Sequence, residues 1–280
     1  MELKQTLKEF TKQGRGLLAT NYYNVETLHG VLKAASDLNE PIILQLTKSS
    51  IDYMGLETAV NLGRSGLKQF GVTGWIHLDH GGSVELAHRC LDAGFDSVMI
   101  DGSELPFEEN VAMAQEVVEL AKQYKAHVEA ELGFVAKLGQ STEGAGFTQP
   151  SEAKDFVEQT GVDALAIAIG TAHGFYKSEP KLQLELLKEI AAITPSTLVL
   201  HGSSGVPHDQ VQKAISLGIC KINLATEIKN IFMKTLQERL RSNEEIDLRK
   251  VFPVATHAVT ELVKTKLLMV KNENHATTIL

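Results

Sequence analysis

Three histidines in this chain each stand just past a strand-like apolar run, and each is followed by glycine. They are His80 in Ile76-His77-Leu78-Asp79-His80-Gly81, His173 in Gly170-Thr171-Ala172-His173-Gly174 and His201 in Leu198-Val199-Leu200-His201-Gly202. Three neutral imidazoles around an open fourth position make a catalytic divalent-metal site, usually zinc. A glycine beside each ligand lets backbone or substrate come close to the ion. Asp79, next to the first histidine, is a ready general base.

Such residues need a frame that brings distant positions together. Short apolar runs alternate with helical periodicity along nearly the whole chain. An amphipathic helix over Glu2–Gln13 opens it. Strand-like runs follow at Gly16–Thr20, Pro41–Leu46, Gly74–Leu78, Ser97–Ile100, His127–Leu132, Ala164–Ile169, Leu198–Leu200 and Lys221–Leu224. The helices between them are expected at Val25–Leu38, Gly55–Phe70, Val84–Ala93, Phe107–Tyr124, Ser151–Gln159, Leu182–Ile193, His208–Leu217 and Glu227–Leu240. A last helix is expected over Leu248–Val270. Eight β–α units in one series predict a (β/α)8 TIM barrel with an N-terminal helix and a C-terminal helical extension, spanning residues 1–280 as a single domain. A doubly wound open sheet is the competing arrangement. Ala164-Leu165-Ala166-Ile167-Ala168-Ile169 reads as a strand buried on both faces.

In such a barrel the active site lies at the C-terminal ends of the strands. Asp79 and His80 follow the third strand and Asp101 the fourth. Glu131 ends the fifth, His173 follows the sixth, His201 follows the seventh and Asn223 ends the eighth. A lone strand-end Asp or Asn is commonly a cap or turn residue; the set of His-Gly sites with Asp79 is harder to dismiss. Gly202-Ser203-Ser204-Gly205 and Asn223-Leu224-Ala225-Thr226 follow the seventh and eighth strands, the usual phosphate grip of this architecture. Gly174 could add an N–H there. Lys221 could be buried in the barrel or reach the phosphate. His29, His77, His88, His127, His208, His257 and His275 lack the strand-end placement and read as structural or solvated. The glycine-rich stretch Gly133–Pro150 is long for a βα loop and has the composition of a lid.

Composition narrows the rest. The net charge of −8, with no basic stripe, argues against nucleic acid as a partner. Two cysteines, Cys90 and Cys220, are too few for a disulfide scaffold and read as reduced thiols. No signal peptide and no membrane-spanning run is visible, so a cytoplasmic protein is expected.

These motifs, in order, resemble the class II, metal-dependent fructose- and tagatose-bisphosphate aldolases. The likeness rests on Pro41-Ile42-Ile43-Leu44-Gln45, His77-Leu78-Asp79-His80-Gly81, Ser97-Val98-Met99-Ile100-Asp101-Gly102-Ser103, Pro106-Phe107-Glu108-Glu109-Asn110, Val128-Glu129-Ala130-Glu131-Leu132-Gly133, Gly170-Thr171-Ala172-His173-Gly174, His201-Gly202-Ser203-Ser204-Gly205 and Lys221-Ile222-Asn223-Leu224-Ala225-Thr226-Glu227. The Asn-Leu-Ala-Thr-Glu wording is nearer the tagatose-bisphosphate branch. The resemblance implies one catalytic Zn2+ per subunit on His80, His173 and His201. It implies Asp79 as proton donor or acceptor at the aldehyde-derived hydroxyl. Gly174, Gly202, Ser203, Ser204, Asn223, Leu224, Ala225 and Thr226 would hold the phosphate of dihydroxyacetone phosphate. Asp101 and Glu131 match a second or displaced metal position, and a monovalent cation or second divalent ion is a further candidate. The substrate implied is a phosphorylated ketose, and the assembly a homodimer or homotetramer. Another sugar or sugar-acid phosphate, or an accessory role without catalysis, are the alternatives. One departure stands out: where the family's mobile loop carries an acidic Gly-Gly-x-Glu-Asp-like element, this chain has Lys137 and a single displaced acid, Glu143.

Overall fold

The computed structural model describes residues 2–133, 135, 146–176, 180–241 and 244–272. Its strands are β1 (Leu17–Asn21), β2 (Ile42–Thr47), β3 (Gly74–Gly81), β4 (Ser97–Ile100), β5 (His127–Leu132), β6 (Ala164–Ile167), β7 (Thr197–Leu200) and β8 (Ile219–Leu224). They form a closed barrel in sequence order, every neighbouring pair parallel, with β8 returning to β1. The helices are α1 (Leu3–Lys12), α2 (Val25–Leu38), α3 (Lys48–Met54), α4 (Leu56–Phe70), α5 (Val84–Asp92), α6 (Phe107–Lys122), α7 (Pro150–Thr160), α8 (Leu184–Ile193), α9 (His208–Ser216), α10 (Thr226–Arg241), α11 (Leu248–Val251) and α12 (Pro253–Lys271). The expected (β/α)8 barrel with helical additions at both ends is therefore the fold.

Side chains along a strand alternate between two faces, and this separates an outer core from the apolar clusters inside the barrel. Leu18, Leu44, Ile76, Leu78, Val98, Val128, Ala130, Leu165, Ile222 and Leu224 face outward, in one apolar cluster with the surrounding helices. At the N-terminal end of the barrel, Leu17, Ala19, Ile43, Trp75 and Cys220 pack with Leu3, Leu7 and Phe10 of α1. The opening helix is thus a plug under the barrel, and its apolar face explains its strong amphipathicity.

One expected element differs and one is additional. The last helix is broken into α11 and α12, because Pro253 cannot continue the hydrogen-bonding of the turn before it and starts a new helix at its first position. A short helix, α3, capped by the Thr47 side chain accepting from the Ser50 N–H, precedes α4. Among the described residues no helix is long and apolar enough to cross a membrane. Lys137 and Glu143 lie outside the described residues, as does His275.

Candidate metal and phosphate site

The inward-facing residues become polar toward the C-terminal end of the barrel. The first surprise is on β3. Asp79 and His80 do not follow the strand but lie within it, since β3 runs on to Gly81. Its pairing with β4 slips between Leu78 and Gly81, where an extra residue bulges. His80 sits in the bulge with φ 54°, in the left-handed region. In a regular strand, consecutive side chains point to opposite faces. The bulge re-aims His80, so that it and Asp79 both face the site.

His80, His173 and His201 meet there, with one ligand atom from each within 4.8 Å of the others. His80 Nε2 is 3.1 Å from His201 Nδ1. The far nitrogen of each of these two rings is engaged: His80 Nδ1 with Asp101 Oδ2 at 2.8 Å, and His201 Nε2 with Glu129 Oε1 at 2.9 Å. A nitrogen that donates to a carboxylate leaves the other with its lone pair free. Two lone pairs facing each other at this distance need a shared positive centre, either a proton or a metal cation. The buried Nε2 of His173 has no hydrogen-bond partner within the protein. The donor set therefore fits a divalent ion: neutral nitrogens converging on one point, with carboxylates orienting two of the rings.

Without an ion bound, the electrostatics divide the three rings. Burial and the charges on His80 and His201 push His173 down to about 3, so its ring is neutral. Burial also lowers His201, against the pull of Glu129. His80 goes the other way. Burial would lower it, but the Asp101 hydrogen bond and the charges of Asp79 and Glu131 raise it to about 9, making it the proton carrier of the cluster. Glu131 is buried at the end of β5, with Oε2 3.2 Å from His201 Nδ1, and burial lifts it to about 8. Asp101 also accepts from the Ser103 N–H and hydroxyl, so its oxygens are committed to holding His80.

Asp79 is buried and accepts hydrogen bonds from Asn21 Nδ2 at 2.9 Å and Asn223 Nδ2 at 3.4 Å. Burial would raise its carboxyl, but His80, His201 and the Asn21 amide hold it at about 2. It is an anion 3.9 Å from His80 Nε2. Asn223 Nδ2 also lies 3.0 Å from His201 Nε2. That nitrogen donates to Glu129 and has no lone pair to offer, so the useful hydrogen of the amide is the one on Asp79.

Beside the three histidines is a narrow cavity of about 30 Å³, lined by Asn21, Asp79, His173, Gly174, Gly202, Ser204, Asn223, Ala225 and Thr226. Gly202 has φ 65°, and a Cβ there would stand 2.5 Å from the Ala172 carbonyl oxygen, so only glycine fits. The start of α10 brings the positive end of its helix dipole to Ala225 and Thr226. Ser203 lies behind this wall and donates its hydroxyl to the Asn223 carbonyl. Leu224 does not line the cavity. Its side chain faces the outer core by strand alternation, and its carbonyl accepts from Thr20.

Several residues that build the site have no strand-end position. Glu129 and Lys221 lie one layer down inside the barrel, where Lys221 Nζ is 2.8 Å from Glu129 Oε2 and donates to Asn223 Oδ1 at 2.8 Å. Lys221 is thus buried in the barrel rather than reaching a phosphate. The Tyr176 hydroxyl accepts from the Ala172 N–H and donates to the Gly202 carbonyl, both at 2.7 Å, tying the loop after β6 to the loop after β7.

Comparison with known proteins decides the family. The sequence profile described as "Fructose-bisphosphate aldolase class-II" matches residues 1–275. The chain belongs to the class II fructose-bisphosphate aldolase family. Within this family it is 41% identical over 246 residues to the D-tagatose-1,6-bisphosphate aldolase subunit GatY of Klebsiella oxytoca, covering 86% of this chain and 87% of that protein. Among solved structures it is similar to the YdjI aldolase of Escherichia coli K12, with a TM-score of 0.87 at 31% identity over 98% of both chains. A fructose-1,6-bisphosphate aldolase described as putative, from Coccidioides immitis, matches with a TM-score of 0.87 at 25% identity, again over 98% of both chains. Aldolases of this class are lyases that depend on a divalent metal, typically zinc, and act on phosphorylated ketoses.

Proposed function

We propose that this aldolase reversibly cleaves a phosphorylated ketose, tagatose 1,6-bisphosphate or fructose 1,6-bisphosphate by default, to dihydroxyacetone phosphate and an aldehyde such as glyceraldehyde 3-phosphate. The observation that carries this is the junction of three convergent imidazoles, an ionised buried carboxylate and a glycine-lined cradle at one barrel mouth.

His80, His173 and His201 would hold the ion, with zinc as the metal. When bound, a divalent ion here polarises the ketose carbonyl and offsets negative charge on its oxygen as the carbon–carbon bond breaks. Asp79, kept anionic by its neighbours, removes the proton from the hydroxyl of the carbon that becomes the aldehyde, and returns it in the synthetic direction. Asn21 and Asn223 fix that carboxylate's orientation through their amide hydrogens. Gly174, Gly202, Ser204, Ala225 and Thr226 seat the substrate phosphate against backbone N–H groups and the α10 terminus. Ser203 and Asn223 brace that seat. Asp101 holds His80 in its ligating orientation. We further propose a cytoplasmic homo-oligomer.

The test is deuterium exchange into dihydroxyacetone phosphate in D2O, followed by NMR with and without chelator. Exchange that the chelator abolishes and added Zn2+ restores is the expected result. No exchange with Zn2+ bound, in the presence of candidate aldehydes, would overturn the reading.

A further inference from the structure

Inside the barrel, one layer below the histidine cluster, an ion pair is buried with no access to water: Glu129 and His201 are fully buried and Lys221 is 1% exposed. Strand alternation puts Glu129 on β5 and Lys221 on β8 on the inner face, where a packed barrel ordinarily keeps apolar side chains. Taking two charges out of water is costly before any attraction is counted. A hydrophobic pair would serve packing better, so the placement calls for another account.

We propose that Glu129, with Lys221 as its counter-ion, is a positioning residue that sets how His201 presents itself to the metal ion. This rests on the reading of His80, His173 and His201 as the metal ligands. Glu129 Oε1 accepts from His201 Nε2 at 2.9 Å, which fixes the proton on Nε2 and turns the Nδ1 lone pair toward His80 and His173. A carboxylate acceptor also makes the opposite nitrogen a stronger donor to a metal. Lys221 approaches both Glu129 oxygens, at 3.2 Å and 2.8 Å, which keeps the carboxylate ionised in the barrel interior. The other facing groups are weaker competitors. His77 Nε2 is 3.8 Å from Glu129 Oε2 and is itself turned to Ser97 through Nδ1. Asn223 faces Lys221 through its carbonyl oxygen. His201 thus has a buried carboxylate partner on strand β5, whereas His80 is held by Asp101 in the loop after β4.

The decisive variant is E129Q/K221M in the full chain. It removes both charges together, so no unpaired ion is left buried, and glutamine keeps an acceptor for Nε2–H. Three properties are measured: the unfolding midpoint of the metal-free protein, Co2+ affinity by competition with a chelating dye, and the visible absorption of bound Co2+. The expected result is a midpoint equal to or above that of the parent, Co2+ affinity weaker by about 10–100-fold, and a shifted absorption band. A merely structural pair would move the midpoint and leave the other two alone. Parental Co2+ affinity and spectrum in the double variant overturn the proposal. E129D, which keeps both charges and shortens the reach to His201 by one methylene, gives a second reading should the double variant fail to fold, with the same outcomes for affinity and band position. If the parent protein itself does not take up Co2+, it is the metal-site reading that fails, and the two failures are told apart.

Discussion

The two ends of this barrel are made by the same eight strands and could hardly differ more. At the N-terminal end Leu17, Ala19, Ile43, Trp75 and Cys220 are closed over by Leu3, Leu7 and Phe10 of α1. At the C-terminal end the inward positions of β1, β3, β5 and β8 become Asn21, Asp79, Glu131 and Asn223, with His201 just past β7. One end gains from burying apolar area; the other spends that gain on buried polar groups, most of them paired within the protein and His173 Nε2 left open. Substitutions at the two ends should therefore fail in different ways.

The largest effect is expected from His173→Ala. Aldol cleavage should fall to background, while the unfolding free energy of the metal-free protein changes by less than about 1 kcal/mol, because the lost Nε2 has no partner inside the protein. A large loss of stability would erase the contrast between the ends. Asp79→Ala comes next: with Zn2+ still bound, kcat should drop by about 10²–10⁴-fold, and activity near the parental value would remove Asp79 from the proton-transfer role.

At the other end, Leu7→Ala should cost about 2–5 kcal/mol of stability in urea unfolding, with kcat unchanged at temperatures where the protein stays folded. A fall in kcat without destabilisation would mean that the plug reaches the site. The pH dependence of metal-free stability sharpens the same division. Burial holds His77 down at about 3 and His127 at about 4. Unfolded histidine titrates near 6.5. Between these values the unfolded chain binds more protons, so stability should fall as pH drops from about 6.5 toward 4. His80, lifted to about 9, acts oppositely: its contribution is complete below about 6.5 and is lost as pH rises through 9. Urea midpoints against pH should therefore peak near neutrality, and a flat profile on the acid side would count against neutral buried rings. The smallest effect is expected from Tyr176→Phe. Losing the link between two loops should cost about 1 kcal/mol of stability and raise KM, with kcat changed less than about tenfold; an unchanged KM would separate the loop tie from substrate seating.

Most of the fold was legible because parallel strands buried on both faces leave continuous apolar runs, and His173 and His201 converge as their places past β6 and β7 require. What was hidden has physical causes. His80 belongs to the strand and faces the site only through a bulge, and no residue pattern announces a register slip. Leu224 stands in a phosphate-loop motif, yet strand alternation turns its side chain outward. The same alternation held a usable signal for Glu129: in His127-Val128-Glu129-Ala130-Glu131 every second residue is polar, which in a barrel strand means a polar interior. Lys221 and Asn223 repeat it on β8. Tyr176 could not have been found by spacing, because its role depends on two loops meeting.

The plug also has a place in time. α1 is made before any strand of the barrel, yet the floor it seals includes Cys220 of β8, whose thiol reaches the Leu7 carbonyl. During synthesis the floor that receives its apolar face stays incomplete until β8 has been made, so this helix has to wait for the last strand. A chain stalled before β8 would carry this sticky helix exposed, a built-in mark of an unfinished molecule.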